Sequence, residues 1–273
     1  LYNDGIYSYS YDHNGNLVLK EPVTTATEFQ GETLYKWKYD YNYKNQMTHT
    51  YKYERSTEDL LMEAEYRYDS MDRRILKAVR DTAQSATGTW THIQKYIYDG
   101  DDVIAEFDYN PFSNKDFLTK RYTHGTGVDE PLVLWLDTSY FPPSYMEPYF
   151  YQYDALGSVT ALTNSSGTIV AKYVYDAFGR VVRHCGDAST MDKYFRYQYT
   201  AREFDYETGL MYYRARIYDP HIGRFYQEDA LLKINSYFYA NNNSITNTDP
   251  SGNNPSYYFY MFTAQGMDPD TAD

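Results

Sequence analysis

Aromatic residues recur at every second position in several short stretches of the chain. The longest such series are Tyr7/Tyr9/Tyr11, Tyr35/Trp37/Tyr39/Tyr41, Tyr149/Tyr151/Tyr153 and Phe195/Tyr197/Tyr199. A period of two places these rings on one face of a β-strand, because successive side chains of a strand point to opposite faces. Apolar residues do not keep helical spacing over three turns in any segment. The pattern therefore predicts an all-β protein with little helix.

Several of these stretches end in Tyr-Asp, followed by a turn that contains glycine. The clearest copies run from Tyr11 to Leu17, from Tyr153 to Val159 and from Tyr175 to Val181, and weaker copies begin at Tyr39, Tyr68, Tyr98 and Tyr218. The Asp can accept hydrogen bonds from the backbone of its own turn, and the Gly supplies a positive φ angle. An apolar residue then starts the returning strand. Each copy thus predicts a β-hairpin.

These hairpins form an irregular repeat, with intervals of 22 to 55 residues between the tyrosines of successive copies. One hairpin cannot bury its apolar face alone, so repeats of this size stack on their neighbours and share a core. A first strand without a neighbour would expose unpaired backbone groups. We therefore expect stacked, irregular β-hairpins that continue into upstream repeats of the same polypeptide.

Composition excludes several classes of protein. The net charge of −13 argues against a nucleic-acid partner, because phosphate backbones select basic surfaces. No stretch approaches the run of about 18 apolar residues that a membrane-spanning helix needs. A single cysteine, Cys185, gives no disulfide framework, and the six histidines lack metal-ligand spacing. We expect no metal and no cofactor.

The Tyr-Asp units resemble the YD repeats of the Rhs family, whose members include polymorphic toxins, insecticidal toxin-complex cocoons and, more distantly, teneurins. The segments 122–132 and 153–162 resemble two family signatures in the expected order, and Tyr199 to Phe225 resembles the Rhs repeat-associated core. This resemblance implies a β-sheet that spirals into a hollow shell. In many members the shell encloses a toxin segment that follows the core, and such proteins are secreted or lie on the cell surface.

The resemblance also suggests how the chain is organised. Residues 1–150 would be a YD-repeat segment of the shell, and residues 151–252 would be the Rhs repeat-associated core. Residues 253–273 are too few for a toxin domain, and their aromatic residues suit a strand that is apolar on both faces. We interpret this tail as a plug or as a remnant that follows the core.

Shell proteins that carry a toxin have a core similar to an aspartyl autoprotease, which cuts the chain just after an Asp-Pro-x-Gly motif. Here Asp249-Pro250-Ser251-Gly252 matches this motif, and the remaining site positions correspond to Asp229 and Arg216. This chain departs from the family at two positions. Ala230 stands where a proline usually follows the first Asp, and Asn253 stands where a bulky apolar residue usually follows the Gly.

The chemistry of such a site follows from the pairing of two carboxyl groups. Two carboxylates held close together do not both ionise cheaply, so one keeps a proton and polarises the carbonyl of the bond to be cut while the other activates water. Asp229 and Asp249 would form this pair. Arg216 would orient the ionised member through a bidentate hydrogen bond.

Two functional hypotheses of different class follow. In the first, the protein is a shell with a self-cleaving core that encapsulates or displays a C-terminal effector, and the cut falls near Asn253. In the second, it is a structural surface protein or adhesin without catalysis, of the teneurin kind, which binds a glycan or a cell-surface protein through exposed rows of tyrosine. Ala230, Asn253 and the short aromatic tail favour the second hypothesis, and Asp-Pro-Ser-Gly is also an ordinary turn sequence.

Overall fold

A computed structural model describes residues 2–23, 28–29, 32–84, 88–127, 130–137, 145–185, 195–230, 236–253 and 256–257. Most of these residues lie in β-strands, and the helices among them are two short 3-10 turns, Tyr199–Ala201 and Tyr239–Asn242. The all-β prediction is therefore confirmed. In the described part of the chain, no helix is long and apolar enough to cross a membrane.

One sheet contains fourteen of the strands. Its members are β1 (Tyr7–Tyr11), β2 (Leu17–Pro22), β5 (Lys36–Tyr41), β6 (Met47–Tyr53), β7 (Leu60–Tyr68), β8 (Arg74–Asp81), β9 (His92–Asp99), β10 (Asp102–Asn110), β11 (Lys115–His124), β12 (Pro131–Asp137), β13 (Met146–Tyr153), β14 (Val159–Asn164), β15 (Ile169–Tyr175) and β16 (Val181–Cys185). Each strand pairs with the next of these along the chain. This order is that of a continuous meander of hairpins, as the repeat predicts.

The remaining strands form three small sheets. The largest contains β17 (Glu203–Asp205), β18 (Leu210–Tyr213), β19 (Arg216–Asp219) and β20 (Arg224–Phe225), in that order. The others are the pairs β3 (Glu28–Phe29) with β4 (Glu32–Thr33), and β21 (Asn247–Thr248) with β22 (Ser256–Tyr257). Apart from Asn253 and β22, the tail interpreted as a plug lies outside the described residues.

The chain divides into two compact units. The first comprises residues 1–95, 108–115 and 226–228, and the second comprises residues 96–107, 116–225 and 229–273. In the first unit, buried tyrosines such as Tyr9, Tyr39 and Tyr66 lie on one face of the sheet, and the Tyr226 ring packs on Tyr39 with 5.0 Å between centroids. In the second unit, tyrosines and aliphatic residues of the sheet share a core with Tyr197.

The turns of the Tyr-Asp units have the predicted construction. In the first, Asp12 Oδ1 accepts hydrogen bonds from the N–H groups of Asn14 and Asn16, at 2.9 and 2.8 Å. Asp154 Oδ1 and Asp176 Oδ1 likewise accept hydrogen bonds from the N–H groups of the residues two and four positions later. Gly15 has a φ of +78°. The Asp side chain thus accepts hydrogen bonds from N–H groups of the turn that have no backbone partner within a strand.

The turn predicted at Tyr39-Asp40 is placed wrongly. Asp40 lies inside strand β5, and the turn begins two residues later at Asn42. The Asn42 side-chain oxygen accepts hydrogen bonds from the N–H groups of Lys44 and Gln46, at 2.9 and 3.1 Å. An amide oxygen accepts these bonds as a carboxylate does, so the Tyr-Asp dipeptide is not the only sequence that forms this turn.

In four of the hairpins, a tyrosine links the hairpin to the one before it. Tyr41 Oη donates to the Leu17 carbonyl at 2.8 Å, and Tyr68 Oη donates to the Met47 carbonyl at 2.8 Å. The same link joins Tyr153 to Pro131 and Tyr175 to Val159. In every case a tyrosine that ends an outgoing strand bonds the residue that begins the returning strand of the preceding hairpin. We call this hydrogen bond the tyrosine latch.

Removal of a latch hydroxyl should weaken the array. We expect Tyr41→Phe and Tyr68→Phe each to lower the free energy of unfolding by about 1 kcal/mol, because a buried carbonyl loses its donor while the ring still packs. Burial raises the pKa of Tyr41 and so keeps this donor protonated. Urea denaturation measures the change. Tyr43→Phe is the control, since Tyr43 is 88% exposed, and an equal loss in all three variants would contradict the latch.

A buried ion-pair network lies inside the second unit. Glu106 of β10 is 0% exposed, and its two oxygens lie 2.8 Å from Lys120 Nζ and 3.2 Å from Arg196 Nη1. Tyr122 Oη donates to the same carboxylate at 2.8 Å, and Arg196 also pairs with Glu203. Burial alone would raise the pKa of Glu106, but Lys120 and Arg196 outweigh it and lower the pKa to about 2.

Candidate functional site

The three residues proposed from the sequence are positioned by the small four-stranded sheet and the turns that follow it. Arg216 is the first residue of β19, directly after the two-residue turn Arg214-Ala215. Asp229 follows β20, and its N–H donates to the Ser236 carbonyl at 3.0 Å. Asp249 follows β21 and opens the next turn. The fold thus brings together residues from three separate segments.

The side chains of these residues meet at one nitrogen atom. Arg216 Nη2 lies 3.3 Å from Asp229 Oδ2 and 3.4 Å from Asp249 Oδ2. Arg216 is 3% exposed, Asp229 5% and Asp249 0%. Two buried acidic groups therefore share the Arg216 guanidinium. Ionised carboxylates that are buried to this degree cost several kcal/mol unless they are compensated.

The remaining nitrogens of Arg216 bind backbone carbonyls. Nη1 donates to the Ser236 carbonyl at 2.8 Å, and Nε donates to the Gly252 carbonyl. The guanidinium lies over the Phe225 ring, 3.8 Å from its centroid. Burial lowers the pKa of Arg216, and the Asp229 and Asp249 carboxylates oppose that effect. The geometry fixes the guanidinium between the two acids and the carbonyl of the Gly252–Asn253 peptide bond.

The Asp249-Pro250-Ser251-Gly252 segment forms a tight turn. The Gly252 N–H donates to the Asp249 carbonyl at 3.2 Å, and the Asn253 N–H donates to Ser251 Oγ at 3.2 Å. Gly252 has a φ of +74°, and a Cβ there would overlap the Tyr213 carbonyl oxygen. Only glycine fits this position without a shift of the backbone. The steric restriction at position 252 therefore explains why glycine precedes Asn253, without any catalytic role for that residue.

The arrangement has the components that hydrolysis of a peptide bond requires. A pair of carboxyl groups can hold one proton between them, so that one member serves as acid and the other as base. The Arg216 N–H polarises the nearby Gly252 carbonyl and would stabilise negative charge on its oxygen. In the described residues, no group of His, Cys, Asp or Glu has the geometry of a metal site.

Sequence reasoning missed four contributors to this site. They are Arg214, Phe225, the Ser236 carbonyl and Tyr239. Burial raises the pKa of Tyr239, and the Asp249 carboxylate adds to this effect. The Arg-x-Arg pattern around Ala215 could have identified Arg214, since both arginines belong to one hairpin. A backbone carbonyl such as that of Ser236 leaves no signal in a sequence.

Several of the tyrosines that could have formed a sugar-binding row are buried, including Tyr9, Tyr39 and Tyr151. On the other face of the first unit's sheet, Tyr51 stacks against His49 with 5.8 Å between ring centroids. Lys38 Nζ lies 5.1 Å from the centroid of the neighbouring Tyr53 ring. These ring faces are therefore covered in part by other side chains of the same sheet.

The comparisons of this chain with known proteins agree on one family. The family model described as teneurin YD-shell matches residues 3–265. The tRNA3(Ser)-specific nuclease WapA of Bacillus spizizenii is 32% identical over 92% of this chain, and Salivary gland surface protein 1 of Aedes aegypti is 33% identical over 69%. The chain spans 11% and 5% of the lengths of these two relatives.

Solved structures have a similar fold. The Photorhabdus luminescens Tc holotoxin pore structure matches with a TM-score of 0.63 and 19% identity, covering 92% of this chain and 13% of that one. A TcdB2-TccC3 crystal structure matches with a TM-score of 0.60 and 20% identity, covering 90% and 13%. At this level of identity the likeness concerns the fold alone.

Proposed function

The chain belongs to the teneurin YD-shell family, and from that premise we propose that it is the self-cleaving end of an Rhs-type shell that encapsulates or displays a C-terminal effector. The observation that carries the proposal is the contact of one buried arginine, Arg216, with Asp229, Asp249 and the Gly252 carbonyl. This contact places both acidic groups and the carbonyl of the Gly252–Asn253 peptide bond around one guanidinium.

The proposed reaction is hydrolysis of the Gly252–Asn253 peptide bond. A water oxygen adds to the Gly252 carbonyl carbon, and the ionised carboxylate of the Asp229/Asp249 pair takes a proton from that water. Arg216 Nε stabilises the oxyanion. The protonated carboxyl then gives its proton to the Asn253 nitrogen as the carbon–nitrogen bond breaks. The products are a carboxyl group on Gly252 and an amine on Asn253, and the pair again holds one proton.

The whole protein is proposed to act outside the cell or at its surface. This chain covers 11% of the WapA protein, a length that leaves room for upstream shell repeats and for a downstream effector. The Aedes aegypti relative, Salivary gland surface protein 1, is by its name a surface protein, which supports the proposed location. The partners of this chain would then be the upstream repeats and the enclosed effector.

The intact mass of the full-length protein tests the proposal. We expect the native chain to yield a fragment that ends at Gly252, and we expect Asp249→Asn and Asp229→Asn to remain whole. Asp69→Asn is the matched control. Asp69 makes the turn bonds that Asn42 makes elsewhere, so this variant should fold and cleave normally.

An intact native chain would refute the autoprotease. The competing function, a shell that serves as a scaffold or adhesin, would then be favoured. Cleavage of both active-site variants at the native rate would also refute it, since the cut would then come from a contaminating protease.

A further inference from the structure

The tip of the β18–β19 hairpin meets the Asp249–Gly252 turn through three successive residues. Arg214 Nη1 donates to the Pro250 carbonyl at 3.1 Å, and the Ala215 N–H donates to the Ser251 carbonyl at 3.3 Å. Arg216 Nε donates to the Gly252 carbonyl. Three neighbouring donors therefore meet three neighbouring carbonyls in constant register.

The hairpin tip binds main-chain atoms of the turn and none of its side chains through these three bonds. All three acceptors are peptide carbonyls, so the identity of the residue at position 251 does not enter these bonds. The contact does select the residue at position 252. A Cβ there would overlap the Tyr213 carbonyl oxygen and lie 3.2 Å from the backbone nitrogen of Arg216, so glycine is required. The contact thus fixes both the depth and the register of the segment before Asn253.

Arg214 adopts a backbone conformation that is costly for its residue type. Its φ is +59° in the two-residue turn between Tyr213 and Arg216. Such turns favour Gly, Asn or Asp, because a left-handed conformation costs other L-residues about 1 kcal/mol or more. Glycine would suit the turn better, but it would lack the guanidinium that binds the Pro250 carbonyl. Strain of this kind is typical of functional positions.

We propose that the hairpin tip 214–216 is a peptide clamp, and that Arg214 is a positioning residue for the cleavage at Gly252–Asn253. This inference rests on the proposed function. Arg216 contacts the bond that is cut, whereas Arg214 holds the segment two residues upstream. Loss of the Arg214 side chain leaves the acid pair intact but lets the Gly252 carbonyl move relative to it.

The substitution Arg214→Gly separates this role from stability. It removes the guanidinium and also relieves the strained φ, so the thermal midpoint of unfolding should stay equal or rise. We nevertheless expect the rate of self-cleavage to fall by about 100-fold, since displacement of a reacting group by about 1 Å has an effect of that size. Mass spectrometry should also show cuts at neighbouring bonds, because the register is no longer fixed. Arg214→Lys keeps one donor and should restore part of the rate.

A second measurement does not depend on cleavage. In the Asp229→Asn background, which leaves the turn sequence unchanged, amide hydrogen exchange at Ala215 should be about tenfold faster with Arg214→Gly than without it. Unchanged exchange at Ala215 would overturn the clamp. A native rate with a single cut site in Arg214→Gly would overturn the positioning role. If the native chain is never cut, the proposed function and the positioning role both fail, and the exchange measurement still decides whether the clamp exists.

Discussion

Replacement of Arg216 by alanine is expected to lower the free energy of unfolding by about 3–5 kcal/mol, because removal of one partner leaves buried charge uncompensated. Asp229 and Asp249 both lose their shared donor, the Gly252 carbonyl loses the bond from Nε, and the Ser236 carbonyl keeps only the bond from the Asp229 N–H. Equilibrium urea denaturation of the full-length protein measures the loss. Arg183→Ala is the control, since Arg183 is exposed on β16.

A compensating variant shows whether charge is the cause. When Asp229→Asn and Asp249→Asn accompany Arg216→Ala, no carboxylate remains at the site, so most of the lost stability should return. If the triple variant is as unstable as Arg216→Ala alone, packing of the guanidinium on the Phe225 ring would be the dominant contribution, and the charge argument would be wrong.

The second large effect concerns Glu106 and pH. Its pKa is about 2 in the folded protein, compared with an ordinary value of 4.5. A depressed pKa means that the ionised group stabilises the fold above its unfolded pKa, and that this stabilisation is lost as the pH falls from about 4.5 through about 2. The shift corresponds to about 3 kcal/mol at neutral pH.

The comparison of native protein with Glu106→Gln isolates this contribution from other acidic groups. At pH 7 the native protein should be more stable than the variant by several kcal/mol, since the variant leaves Lys120 and Arg196 without their buried counter-charge. The difference should shrink steadily below pH 4.5. A difference that stays constant down to pH 2.5 would show that the Glu106 carboxylate is not ionised in the network.

The strands and most of the turns can be predicted from short stretches of sequence, because the residues that determine them are close together along the chain. An aromatic residue at every second position specifies one buried face, as at Tyr149 and Tyr151, and an Asp before glycine specifies its own turn, as at Asp154. Both rules involve residues close in sequence. The turn at Asn42 was misplaced because the same rule was applied to the dipeptide Tyr39-Asp40, although an asparagine two residues later makes the same hydrogen bonds.

Contacts between distant residues could not be predicted in this way. Glu106 and Arg196 are 90 residues apart, and nothing near either residue indicates that it lies in the core with an opposite charge. The residues of the candidate site could be predicted although they are far apart in the sequence. Asp229, Asp249 and Arg216 were identified by family resemblance, and the fold does bring them together, but Phe225 and Arg214 act through geometry that only the folded chain displays.

The tyrosine latch gives the array a direction. Tyr41 donates to the Leu17 carbonyl and Tyr68 to the Met47 carbonyl, so each of these hairpins receives a bond from the one that follows it. In a growing chain leaving the ribosome, the bond at Leu17 can therefore form once Tyr41 has been made, and the bond at Met47 once Tyr68 has been made. These links can therefore form in order along the chain during synthesis, each as soon as the hairpin that follows has been made.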